Sequence, residues 1–155
     1  MTIHPSRELL SAGYSPIPAA RERRAPLNLY ILATSTRGTR AALQSAGACA
    51  RGLDAQIVLL VPHVVPYAQT LEHPADSVKV VANRYRSLAC ELGVDVTVRV
   101  CLCRPHSAAL TPLVPGDAAV LIGGRTRHWW PTREQRLARR LMESGRHVLF
   151  VPARR

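Results

Sequence analysis

Residues Leu27–Leu43 read LNLYILATSTRGTRAAL, and this stretch decides how the rest of the chain is parsed. Five or six apolar positions of strand length end at Ala33. Three hydroxyls follow, Thr34, Ser35 and Thr36, and then Ala42, Leu43, Ala46, Ala50 and Leu53 recur at helical spacing to about Gly52. A strand that runs through a hydroxyl turn into a helix is the first half of a βαβ unit. In α/β proteins such a junction is where phosphate or ribose is commonly held. Here it carries two arginines, Arg37 and Arg40, and no carboxylate.

The same alternation continues down the chain. AQIVLLVP (55–62) is an apolar run rich in β-branched residues, as expected of a parallel strand buried on both faces, and Pro62 is expected to end it. HVVPYAQTLEHP (63–74) is expected to be a loop. Val78, Val81, Ala82, Tyr85, Leu88, Ala89 and Leu92 then fall on one face of a long helix that Gly93 closes. VDVTVRVCLC (94–103) is a third strand, and RPHSAALTPLV (104–114) a short helix with Pro105 in its first turn. GDAAVLIGG (116–124) is a fourth strand, TREQRLARRLMES (132–144) a helix, and HVLFVP (147–152) a fifth strand. Strands alternating with helices predict an open five-stranded parallel sheet, covered by helices on both faces, with right-handed crossovers. Ligands of such sheets bind beyond the carboxyl ends of the strands, where strand order reverses. The two loops to watch are therefore Thr34–Thr36 and Gly123–Trp130, which flank one crevice if the first and fourth strands are neighbours.

A chain of 155 residues has the length of one domain and could bury roughly 70% of its unfolded surface. The expected division is a basic arm over 1–26, with Arg21, Arg23 and Arg24 clustered, one α/β domain over 27–152 and a basic tail over 153–155. The N-terminus shows no apolar core before a cleavage site, and no apolar run approaches the ~18 residues that span a bilayer, so a cytoplasmic protein with no membrane partner is expected. The four cysteines, Cys49, Cys90, Cys101 and Cys103, lack CxxC spacing and read as reduced, buried side chains. Cys101 and Cys103, with His63 and His106 beyond strand ends, contain the makings of a soft-metal site, but packing is the commoner use of such cysteines and no metal is expected.

Charge narrows the class of partner. There are 21 Lys+Arg against 10 Asp+Glu, a net charge of +11, and all the cations but Lys79 are arginine. Arginine pairs bidentately with phosphate and carboxylate, so an anionic partner is expected. GGRTRHWWPTREQRLARR holds Arg125, Arg127, Arg133, Arg136, Arg139 and Arg140 against Glu134 alone, a local charge of +5 over Arg125–Arg140. Gly123 and Gly124 could expose backbone donors, Arg125 and Arg127 could pair with phosphate oxygens, and Trp129 or Trp130 could stack on a base. Thr34, Ser35 and Thr36 could donate from the facing loop. The competing reading makes the arginines a solvated helix face and has the tryptophans cover the sheet edge or a dimer partner. No nucleophile elbow, P-loop or HExxH motif is present, and carboxylates are sparse, so a non-catalytic protein is expected.

LDAQIVLLVPHVV (53–65), ACELGVDVTVRVCLCRPHSAAL (89–110) and DAAVLIGGR … LMESGRHVLFVP (117–152) together resemble the universal stress protein family over about Leu27–Pro152. That resemblance implies an adenine-nucleotide α-hydrolase-like fold with strand order 3-2-1-4-5, a regulatory stress-response role, and a homodimer formed through the last strand, His147–Val151. It also implies ATP or AMP as the ligand class, since some members bind ATP. Those members carry an acid at the end of the first strand and Gly-x-x-Gly, then about nine residues, then Gly-Ser or Gly-Thr after the fourth. Here the acid's place falls on Thr34, or on Ser35 in the adjacent register. Gly123 matches the first glycine, Thr126 takes the second, and Glu134–Gln135 stand near the Gly-Ser pair. The family-type ATP motif is not intact. Two expectations follow: a regulatory module binding no nucleotide, or an adenine nucleotide or other anion in an altered pocket; and, alternatively, a basic protein whose Arg125–Arg140 face engages nucleic acid or an acidic protein partner.

Overall fold

The structure, a computed structural model, describes residues 27–66, 77–103 and 111–153. Five strands, β1 (Asn28–Leu32), β2 (Gln56–Val64), β3 (Thr97–Cys103), β4 (Ala119–Gly124) and β5 (His147–Pro152), form one parallel sheet in the order β3-β2-β1-β4-β5. Helices α1 (Thr36–Leu53), α2 (Ser77–Glu91) and α3 (Arg133–Glu143) connect them. The basic arm over 1–26, His73, residues 104–110 of the helix predicted over 104–114 (His106 among them) and the last two residues lie outside the described residues. Within the described part of the 104–114 span a 3-10 turn, Thr111–Leu113, precedes β4.

Strand alternation distributes the core to both faces. Leu29, Ile31, Leu59, Val61 and Leu121 pack under α1 and α2 with Ala42, Leu43, Ala46 and Leu88. Leu32, Val58, Leu60, Val120 and Ile122 face the other way, against Ala138 and Leu141 of α3. The five consecutive buried residues Ile57–Val61 explain why β2 reads as a continuous apolar run. Gly93 closes α2 with φ +63°, its N–H donating to the Cys90 carbonyl at 3.0 Å while Val94 N–H reaches Ala89 O, also at 3.0 Å.

The structure corrects three details. β2 does not end at Pro62 but runs on to Val64 along β3, with Pro62 opposite Cys101. The Leu60 carbonyl accepts from Ala33 N–H, so Leu60 turns its polar groups toward β1, and so does Pro62 two residues on. By then β1 has ended at Leu32, and the N–H that proline lacks has no strand to serve. Cys49 and Cys90, expected inside, are exposed on their helices. Leu53, assigned to the core face of α1, is 58% exposed at the last position of the helix. Among the described residues no helix is long and apolar enough to cross a membrane.

Candidate functional site

The reversal of strand order falls between β1 and β4, which pair from Leu29↔Ala119 to Leu32↔Ile122. This brings Thr34 and Gly123 together at the carboxyl end of the sheet, where the Thr34 hydroxyl donates to the Gly123 carbonyl at 2.6 Å. Thr34 N–H in turn donates to Oγ1 of the fully buried Thr39 at 3.0 Å. Ser35 is the N-cap of α1, accepting from Gly38 N–H at 3.2 Å. Thr36 Oγ1 accepts from the Arg84 guanidinium of α2 at 3.1 Å. Each of the three hydroxyls therefore has a structural partner. Thr34 spends its proton on Gly123, whereas Ser35 and Thr36 act as acceptors and keep theirs.

Gly38 and Gly123 allow this junction to close. A Cβ on Gly38 would overlap the Gly123 carbonyl and stand 2.6 Å from Thr34 Oγ1; a Cβ on Gly123 would overlap the Gly38 backbone. Gly124 is hemmed by Cβ and Cγ of Glu134 and by Phe150, and its carbonyl accepts from Ala153 N–H at 2.8 Å. The role of Gly38 was missed from sequence, although glycine in the first turn of a helix costs roughly 1 kcal/mol against alanine and so marks a place where a side chain does not fit.

Two cationic hollows open at this end of the sheet. One, of about 430 Å³, lies between Arg37, Arg40 and Gln44 of α1 and the end of β5 at Val151–Ala153. The other, of about 240 Å³, is walled by Arg125, Arg127, Arg133 and Arg136, with Trp130 and Glu134. Arg37 and Arg40 join the predicted residues only through the fold, and Arg40 also makes an exposed ion pair with Glu91 at 3.1 Å. The second hollow collects Arg125 and Arg127, while Thr34, Ser35 and Thr36 stand outside its walls on the facing loop. Trp129 and Trp130 are 92% and 79% exposed, so within this chain they do not cover the sheet edge.

The Arg125–Thr132 loop is held in place by a capping box on α3. Thr132 Oγ1 accepts from Gln135 N–H at 3.2 Å and Gln135 Oε1 accepts from Thr132 N–H at 2.8 Å. The Thr132 hydroxyl donates to Arg125 O at 3.1 Å, and the Gln135 amide bridges the N–H and carbonyl of Arg127, both at 3.4 Å. A box of this kind commonly uses glutamate; glutamine here closes it without adding negative charge. Meanwhile Asp54, Asp95 and Asp117 precede β2, β3 and β4 at the amino ends of the strands. The arginine-rich end of the sheet thus faces anions with Glu134, in the first turn of α3, the one carboxylate in the walls of the two hollows.

The cysteines of β3 take no part in this site. Burial, then the neighbouring Cys103, pushes the Cys101 thiol above its ordinary value against the pull of Arg99, and burial alone raises Cys103. Both stay protonated, and weak as nucleophiles, at neutral pH. Among the described residues no three His, Cys, Asp or Glu side chains come together as metal ligands do.

No protein-family model matches the sequence, and no curated protein matches it by sequence. Solved structures do. A universal stress protein in complex with cAMP superposes with a TM-score of 0.57 at 15% identity, over 83% of this chain and 98% of that one. A universal stress protein family member from Burkholderia pseudomallei gives 0.51 at 16% identity, over 81% and 96%. The Archaeoglobus fulgidus universal stress protein in complex with dAMP gives 0.50 at 10%, over 81% and 97%. This chain has the universal stress protein fold.

Proposed function

We propose that the chain is a non-catalytic regulatory module of the universal stress protein type, and that its ligand is a small phosphate-bearing anion, an adenine nucleotide first among them. The observation that carries this is the junction at the strand-order reversal. Thr34 and Gly123 close it from below, Ser35 and Thr36 retain hydroxyl protons, and two hollows open at the same end of the sheet, one lined by Arg37 and Arg40, the other by Arg125 and Arg127 with Glu134 as its lone acid. Two neighbours in fold were solved with an adenine nucleotide, cAMP in one and dAMP in the other. Where nucleotide-binding relatives use an acid and a glycine pair, this chain offers hydroxyls and guanidinium groups, which suit phosphate better than ribose. Signalling by occupancy fits a site with so few carboxylates to run acid–base chemistry.

Calorimetric titration of the full chain with AMP, ATP and cAMP tests the reading. Saturable binding that tolerates moderate salt is expected, weakened about tenfold or more in R125A/R127A and in R37A, since each removes a charge-assisted bond. If none of the nucleotides gives heat, the nucleotide reading falls. If they bind equally to both variants, the ligand sits elsewhere.

A further inference from the structure

Two adjacent indoles in water and an arginine face beside them are both unfavourable on their own. Exposed aromatic surface promotes association, and like charges repel. Trp129 and Trp130 project from the loop before α3, 92% and 79% exposed, and nothing in the described chain covers them. Arg133, Arg136 and Arg139 follow at every third position on the side of α3 away from the buried Ala138 and Leu141, and all three are exposed. The arrangement has a direction. The hollow beside Trp130 is walled by Arg125, Arg127, Arg133 and Arg136, and the cations then continue along the helix for roughly 10 Å. A membrane surface calls for cations spread over a plane around an inserted ring. Here they form a trough that starts at the rings and runs as a strip.

We infer that this surface binds single-stranded nucleic acid, with unpaired bases stacked on Trp129 and Trp130 and successive phosphates paired with Arg127, Arg133, Arg136 and Arg139. Stacking on an exposed ring tolerates any base, and a line of guanidinium groups follows a backbone of evenly repeated charge. Duplex DNA keeps its base faces covered and gains nothing from the indoles. The surface shares Arg127 and the hollow beside Trp130 with the proposed nucleotide site, but Arg139 lies further along α3 and serves the strand alone, whereas Arg37 lies on α1 and serves the nucleotide alone.

The test is fluorescence anisotropy of a labelled oligothymidylate of about ten nucleotides against the full chain over a salt series. With four phosphates neutralised, log K is expected to fall with log salt at a slope of about −3, from 0.7 × 4. W129A/W130A, which alters only exposed side chains, is expected to weaken binding about tenfold or more, and R136A/R139A to reduce the slope by about 1.4, from 0.7 × 2. R37A is expected to leave strand binding unchanged, so failure of this proposal and failure of the nucleotide reading show in different variants. Circular dichroism confirms that each variant is folded. The proposal is overturned by unchanged anisotropy at low salt, by W129A/W130A binding as wild type does, or by a duplex of the same length binding as tightly. It is overturned equally if phosphatidylserine vesicles or polyglutamate strip the oligonucleotide at matched charge.

Discussion

At Gly38 and Gly123 a single atom decides whether the site can form. Glycine to alanine within a helix ordinarily gains up to about 1 kcal/mol. At Gly38 the sign reverses, because the new Cβ would meet backbone at Gly123 and the bonded Thr34 hydroxyl, neither of which can swing aside. G38A and G123A are each expected to lose about 1–3 kcal/mol in chemical denaturation, with G123A the worse because every neighbour of its Cβ is backbone. G52A, also in α1 but with nothing within 4 Å of a Cβ, is the control and should be neutral or slightly stabilising. Equal effects at Gly38 and Gly52 would mean that the close approach of α1 to β4 is not tight. Strand, hydroxyl turn and helix were all legible in LNLYILATSTRGTRAAL. The partners of the Thr34 and Thr36 hydroxyls were not, because the Thr34 bond spans 89 residues of sequence and the Thr36 bond spans 48.

The limits of α3 could be read from TREQRLARRLMES because the signals are local: a threonine cap, glutamine at the third helical position and a glycine just beyond the end. Where local signals were weighed against tertiary pairing, pairing won. Pro62 stays in β2 because β1 is two residues too short to need its N–H. The α3 cap also gives a test of charge apart from shape. Q135E keeps the acceptor for Thr132 N–H and loses the long 3.4 Å bond to the Arg127 carbonyl, while placing a carboxylate where the helix dipole favours it by about 0.3–1 kcal/mol. Thermal stability is therefore expected to hold or rise slightly, while AMP affinity measured by calorimetry falls, because the new negative charge stands against the backbone of Arg127, beside the hollow that is to attract the anion. Stability and affinity dropping together would mean that Gln135 acts only as a structural pin.

For the whole molecule, the sheet leaves β3 and β5 as edges, and the two are not equivalent. On β5 Leu149 is 53% exposed and Val148, Phe150 and Val151 are half buried, an apolar six-residue edge that invites pairing. Two copies related by a twofold axis through that edge would pair His147–Val151 antiparallel, and the centre of that segment is Leu149, which would then face its own mate. The expectation from light scattering is a mass of about 34 kDa, twice the 17.0 kDa chain. L149R would set two like charges opposite each other at the axis and is expected to yield a folded 17.0 kDa monomer. Salt separates this contact from the arginine surface on α3. Each chain carries +11, so a dimer gathers +22 (11 + 11), and screening that repulsion should tighten self-association as salt rises. Binding of a nucleic-acid strand should weaken over the same series. A wild-type mass of 17.0 kDa at every salt and protein concentration would show that β5 does not seek a second copy, and the apolar edge would then need a different partner.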